Sequence, residues 1–132
     1  MSAAPTSAAK RPAVLTAGGT GGHMFPALAL AEELARRGRR VVVFTDERGQ
    51  NYAEKIAGIE SIVVPSASPS RGGPLGRIGF FATLARGAWA ASRLLRKLRA
   101  EIVVGFGGYA SFPAGFMAGR YRLPLILHEQ NG

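Results

Sequence analysis

The sequence predicts an α/β domain, a Rossmann-like parallel sheet with helices on both faces. Three observations carry this. Short apolar runs alternate with longer amphipathic stretches in the order β-α-β-α-β-α-β-α-β, with no internal repeat. Runs such as "AVLTA" and "VVVFT" are apolar at nearly every position, as strands covered on both faces are. Glycine-rich segments sit at the ends of two such runs, "GGTGGH" after the first and "GFGGYAS" at the fourth. In an open parallel sheet that is where ligands bind.

Taken in order, residues 1–12 read as a disordered tail, without the apolar h-region of a secretory signal. Residues 13–132 form the domain. "AVLTA" (13–17) is a buried first strand ended by glycines. Residues 24–37 read as a helix, with Pro26 in its first turn and Gly38 at its end. "VVVFT" (41–45) is the second strand. "YAEKIAG" (52–58) makes a short helix closed by Gly58, and "SIVVP" (61–65) the third strand. "SASPSRGGPLG" (66–76) is a turn-rich loop. A long helix over 75–99 precedes the fourth strand, "IVVGF" (102–106). "GYASFPAGFMAGRY" holds a loop and a short helix, and "LPLILHE" (123–129) is the last strand.

Composition narrows the function. The 132 residues carry no cysteine, which excludes disulfides, thiolate metal sites and a cysteine nucleophile. Two histidines, His23 and His128, leave little material for a zinc site, so no metal is expected. The net charge of +9 is uneven: residues 61–132 hold nine basic side chains against Glu101 and Glu129 alone. An anionic partner follows: nucleic acid, a phosphorylated substrate or an anionic membrane surface. No apolar window is long enough to span a bilayer, and a cytoplasmic protein is expected.

The glycine segments suggest which anion. A glycine loop running into a helix offers backbone N–H groups and the positive end of the helix dipole to a phosphate or diphosphate. "GGTGGH" is no Walker A loop, since no Lys-Ser/Thr follows, and it breaks G-x-G-x-x-G because the third glycine would fall on Met24. A tight strand-to-helix turn needs one or two glycines. That does not account for Gly18, Gly19, Gly21 and Gly22 together with Gly105, Gly107 and Gly108. His23, at the helix N-terminus, is expected as a neutral imidazole, suited to act as a general base; the plainer alternative is a helix-capping or packing histidine. His128, at a strand end, reads as structural. Glu129 and Asn131 sit where side chains reach the cleft or fix loops, and Tyr109 could stack, donate a hydrogen bond or fill space.

The long helix carries a second signal. Phe80, Phe81, Leu84, Ala88, Ala91, Leu95 and Leu98 share one side and form the core stripe. Arg86, Arg93, Arg96 and Lys97 gather on another side, with Ile78, Ala82 and Trp89 among them. Basic residues interleaved with tryptophan and aliphatics suit a surface that meets anionic headgroups. The alternative is a solvated face on which arginine stems cover Trp89. Nucleic acid is not expected, because the aromatic platforms of single-strand binders are missing.

"AGGTGGHMFPALALAEEL", "GFGGYASFPAG" and "PLILHEQNG" together resemble the N-terminal half of the MurG-type glycosyltransferases of peptidoglycan synthesis, over about 13–132. The resemblance implies a GT-B enzyme, metal-independent, inverting and without a cofactor, peripheral at the cytoplasmic face of the bacterial inner membrane. Its reaction moves N-acetylglucosamine from the co-substrate UDP-GlcNAc to the muramoyl C4 hydroxyl of lipid I, giving lipid II. The N-terminal half of that family receives the lipid-linked acceptor, whose diphosphate suits Gly18, Gly19, Gly107 and Gly108. By the same resemblance Thr20, Gly21 and Gly22 also touch the donor, His23 is the base and Asn131 contacts the nucleotide sugar. Tyr109 and Glu129 match acceptor-side positions, and the basic helix matches a membrane-docking patch. The family's second, donor-binding domain lies outside these 132 residues, so the isolated chain is expected to be inactive. Two other readings remain open: a nucleotide-dependent oxidoreductase domain with Asp46 as the ribose-binding acid, and a non-catalytic membrane-surface module.

Overall fold

The computed structural model describes residues 10–56, 58–66, 73–108 and 111–129. Within them, strands β1 (Ala13–Thr16), β2 (Val41–Thr45), β3 (Glu60–Val63), β4 (Ile102–Gly105) and β5 (Leu125–Leu127) alternate with helices α1 (Gly21–Arg36), α2 (Glu47–Ala53), α3 (Gly73–Leu98) and α4 (Ser111–Arg120). The strands form one sheet in the order β3-β2-β1-β4-β5, every neighbouring pair parallel. The α/β class read from the sequence is the class observed.

Strand alternation explains the apolar runs. Leu15, Val43 and Val104 point to one face, where they pack with Met24, Ala27, Leu28 and Ala31 of α1 and Ala53 of α2. Their neighbours Val14, Val42 and Val103 point to the other face, against Ala91 and Leu95 of α3 and Ala114 and Ala118 of α4. Full burial of a valine or leucine is worth about 1.5–3 kcal/mol over exposure, so a strand apolar on both faces demands cover on both. The sheet edges differ: β3 is only partly buried, and Leu125, Ile126 and Leu127 of β5 are exposed.

Element boundaries depart from expectation where caps were misread. Helix α1 begins at Gly21, because Thr20 takes extended backbone (φ −89°, ψ 151°) as its N-cap. Gly21, Gly22 and His23 therefore form the first turn and not the loop before it. Pro26 lies inside the helix, with no N–H to give the Gly22 carbonyl. Helix α2 occupies Glu47–Ala53, ahead of the expected 52–58, because Asp46 caps it: its Oδ1 accepts from Gly49 N at 2.9 Å. Phe81, placed in the core stripe of α3, is 64% exposed. The buried positions of that helix are Gly87, Ala91 and Leu95, with Phe80, Leu84, Ala88 and Leu98 half-buried. Gly87 is required where α3 crosses the chain end of β3, since a Cβ there would lie 2.2 Å from the Pro65 carbonyl oxygen. Residues 10–12, assigned to the tail, are attached: Pro12 is buried, Lys10 Nζ donates to Gly38 O and Arg11 Nε to Arg99 O, both at 2.9 Å. These cations meet the carbonyl ends of α1 and α3, where positive charge is favoured.

Candidate active site at the β1–β4 switch point

From β1 the chain winds outward through β2 to β3, then crosses back to β4 on the other side of β1. The carboxyl ends of β1 and β4 thus flank the crevice where the strand order reverses. Both glycine segments emerge there and are tied together. Phe106 N donates to Thr16 O at 2.9 Å, and Gly18 N to Gly107 O at 2.9 Å. Ser111 Oγ, at the start of α4, lies 2.8 Å from Thr16 O and 2.7 Å from Gly107 O, a buried hydroxyl shared by the two loops.

The imidazole of His23 lies in the slot between these loops. A Cβ on Gly18 would sit 3.4 Å from its Nδ1, and one on Gly108 3.3 Å from the same atom. A Cβ on Gly107 would come within 3.1 Å of its Cδ2 and 3.2 Å of its Nε2. Gly107 and Gly108 also hold φ of +92° and +82°, a region side chains rarely adopt, and Gly108 approaches so closely that a Cβ would lie 2.8 Å from Gly18 Cα. Three glycines from two loops therefore make room for one histidine ring. A hydrogen bond of 2.8 Å joins Thr20 Oγ1 to His23 Nδ1. An N-cap threonine ordinarily accepts from a first-turn N–H, a bond worth about 1 kcal/mol. Thr20 makes no such bond.

This geometry corrects part of the cradle expected from sequence. Gly18 and Gly19 do not present their N–H groups to the crevice: the first donates to Gly107 O, the second to Asp46 Oδ2 at 3.0 Å. Gly19 is small because Asp46 occupies the space its Cβ would need, 2.0 Å from Oδ1. Gly22 differs, as a Cβ there meets nothing within 4 Å. Gly21 and Gly22 stand in the first turn of α1, at its positive dipole end. Asp46 bridges the first glycine loop to the cap of α2, each of its carboxylate oxygens accepting one backbone N–H, so its place at the end of β2 has a structural account without a ribose. The sequence shows neither its bridging role nor that of Ser111, though a helix-capping signal at Asp46 points to the first.

His128 and Glu129 follow β5 at the same end of the sheet. His128 N donates to Gly105 O at 2.8 Å, and its ring lies 5.4 Å from that of Phe106. Tyr109 and Asn131 lie outside the described residues. Beside Gly108 opens an almost wholly apolar cavity of about 500 Å³, walled by Phe80, Leu84 and Phe112.

Helix α3 presents the expected mixed face. Ile78 and Trp89 are 67% and 63% exposed, and Arg86, Arg93, Arg96 and Lys97 are exposed around them. Arg93 stacks over the Trp89 ring at 4.9 Å without covering it. Arg96 lies instead 5.4 Å over Tyr121, at the end of α4. More apolar side chains are exposed than the sequence suggested: Leu75 and Phe81 of α3, and the stacked pair Phe112 and Phe116 of α4. The i, i+4 spacing of that pair was the legible clue. Among the described residues no helix is long and apolar enough to cross a membrane.

The five-stranded parallel sheet with a histidine held between glycine loops at its switch point is, by its family match and its superposition on MurG, the N-terminal half of a GT-B glycosyltransferase. Residues 13–132 match the glycosyltransferase family 28 N-terminal domain. A relative from Rhodospirillum centenum is 49% identical over 120 residues, 91% of this chain and 31% of its own length. One from Methylobacterium nodulans is 48% identical over 118 residues, 89% of this chain and 32% of its own. Both are named UDP-N-acetylglucosamine--N-acetylmuramyl-(pentapeptide) pyrophosphoryl-undecaprenol N-acetylglucosamine transferase. The crystal structure of Acinetobacter baumannii MurG superposes with a TM-score of 0.77 at 29% identity, covering 93% of this chain and 36% of that one. The chain belongs to glycosyltransferase family 28 and carries its N-terminal domain. It spans about a third of the length of the curated relatives it matches.

Proposed function

We propose that residues 13–132 are the acceptor-side, membrane-facing domain of an inverting transferase that moves N-acetylglucosamine from UDP-GlcNAc to the C4 hydroxyl of an undecaprenyl-diphosphate-linked muramoyl acceptor, lipid I, to give lipid II for peptidoglycan. The observation that carries this reading is the imidazole of His23 lodged between the two glycine loops, in a chain nearly half identical to enzymes named for that transfer. His23 takes the C4 hydroxyl proton as that oxygen bonds to the anomeric carbon. The bond from that carbon to the UDP oxygen breaks, UDP leaves with the electron pair, and the configuration inverts.

In this reading Gly21 and Gly22 in the first turn of α1, with Gly107 and Gly108 opposite, receive the diphosphate, while Gly18 and Gly19 set the loop. Thr20, Gly21, Gly22 and Asn131 meet the donor, Tyr109 and Glu129 the acceptor. The second domain of the longer relatives supplies the rest of the donor site. Ile78, Trp89, Arg86, Arg93, Arg96 and Lys97 rest on the anionic cytoplasmic face of the inner membrane, so the acceptor reaches the crevice without leaving the bilayer.

The test is a chimera of this chain with the C-terminal two thirds of the Rhodospirillum centenum relative, assayed for sugar transfer to a soluble lipid I analogue. Transfer is expected, and His23→Ala is expected to lower kcat roughly a hundredfold or more while leaving the acceptor KM nearly unchanged. An unchanged kcat in a folded His23→Ala chimera would remove the base and favour the non-catalytic membrane module.

A further inference from the structure

We propose that Thr20 is a positioning residue for His23. Its hydroxyl accepts the Nδ1–H, so the imidazole is held in the tautomer whose lone pair lies on Nε2, the nitrogen left to take a substrate proton. The proposal rests on the reading of His23 as the base.

Thr20 stands at the N-cap of α1, yet its side chain makes no cap bond. The His23 N–H that it would ordinarily serve lies instead 3.1 Å from the Thr20 carbonyl oxygen. The hydroxyl is thereby released from capping, and it lies 2.8 Å from His23 Nδ1. Gly18 and Gly108 flank the ring on its Nδ1 side, where a Cβ on either would come within 3.4 Å of Nδ1. A neutral imidazole has one N–H, and which nitrogen carries it is set by the bond the other nitrogen makes. Among the described residues Nε2 has no hydrogen-bond partner. A base at Nε2 needs its lone pair there and the proton on Nδ1, and the Thr20 hydroxyl is the acceptor placed to hold that proton. This is the arrangement of a base with its orienter, supplied here by a threonine three residues earlier on the same turn.

The experiment reads the tautomer directly. Long-range 1H–15N spectra of the 132-residue chain report which imidazole nitrogen of His23 is protonated, in the wild type, Thr20→Val and Thr20→Ser. Wild type and Thr20→Ser are expected to carry the proton on Nδ1, and Thr20→Val a mixture of both tautomers. In the chimera, Thr20→Val is expected to lower kcat roughly tenfold or more with the acceptor KM little changed, and Thr20→Ser to restore it. A wild-type proton on Nε2, or a tautomer indifferent to Thr20→Val, overturns the proposal even if His23→Ala abolishes turnover. The expected tautomers together with an active His23→Ala chimera would instead remove the base and leave the orienting bond standing.

Discussion

Gly19 and Gly22 lie three residues apart, yet each is glycine for its own reason. Gly19 faces Asp46, and a methyl group there would drive into the carboxylate that ties the loop to α2. Gly22 faces open space on the first turn of α1. Gly19→Ala is therefore expected to destabilise the chain by about 1–3 kcal/mol. Gly22→Ala should leave stability unchanged or raise it by up to about 1 kcal/mol, because alanine is the better helix former. Its expected effect is on binding of the diphosphate. Urea denaturation of both variants checks the contrast, and equal losses would contradict it. The sequence makes the excess of glycine legible and points to close approach. It does not say what approaches, because the Asp46 carboxylate is 27 residues away and the His23 ring fills its slot only once β1 and β4 pair.

At the scale of elements, the apolar runs were legible because a strand covered on both faces leaves an unmistakable pattern, and β2 falls where it was expected. Helix α2 starts earlier than its apolar spacing predicts because Asp46 caps it. Helix α3 was legible on both sides apart from Phe81, which lies at the flank of the stripe, where covering depends on what α4 leaves open. Its outer face joins Trp89 and Ile78 to exposed arginines, and Phe112 and Phe116 of α4 are exposed as well. Such a face should hold to anionic vesicles more firmly than to neutral ones, and release in salt. Arg86→Gln and Lys97→Gln are each expected to weaken binding to phosphatidylglycerol vesicles roughly fivefold. Trp89 emission should shift to the blue on binding. Cosedimentation indifferent to vesicle charge, or unshifted emission, would contradict that role.

For the whole molecule, sheet order decides where chemistry can occur. The order β3-β2-β1-β4-β5 places the reversal between β1 and β4, and both glycine segments, the histidine and the β5 end gather at that one pole. The opposite pole carries the helix C-termini and the paired cations at residues 10 and 11. The alternation of elements in the sequence implied this gathering before any distance was known. What the alternation could not carry was the division of labour within the loops. Gly18 and Gly19 hold the architecture, while the space beside Gly22 on the helix turn beyond them is open. The central claim is that this pole receives the diphosphate of a lipid-linked sugar. The most direct test titrates the 132-residue chain with a short-chain, soluble lipid I analogue and follows the Gly21, Gly22, Gly107 and Gly108 amides by NMR. Saturable shifts on both sides of the slot are expected, and they should vanish with an analogue lacking the diphosphate. A folded spectrum in which these amides ignore both ligands would contradict the claim and leave every glycine at this pole structural.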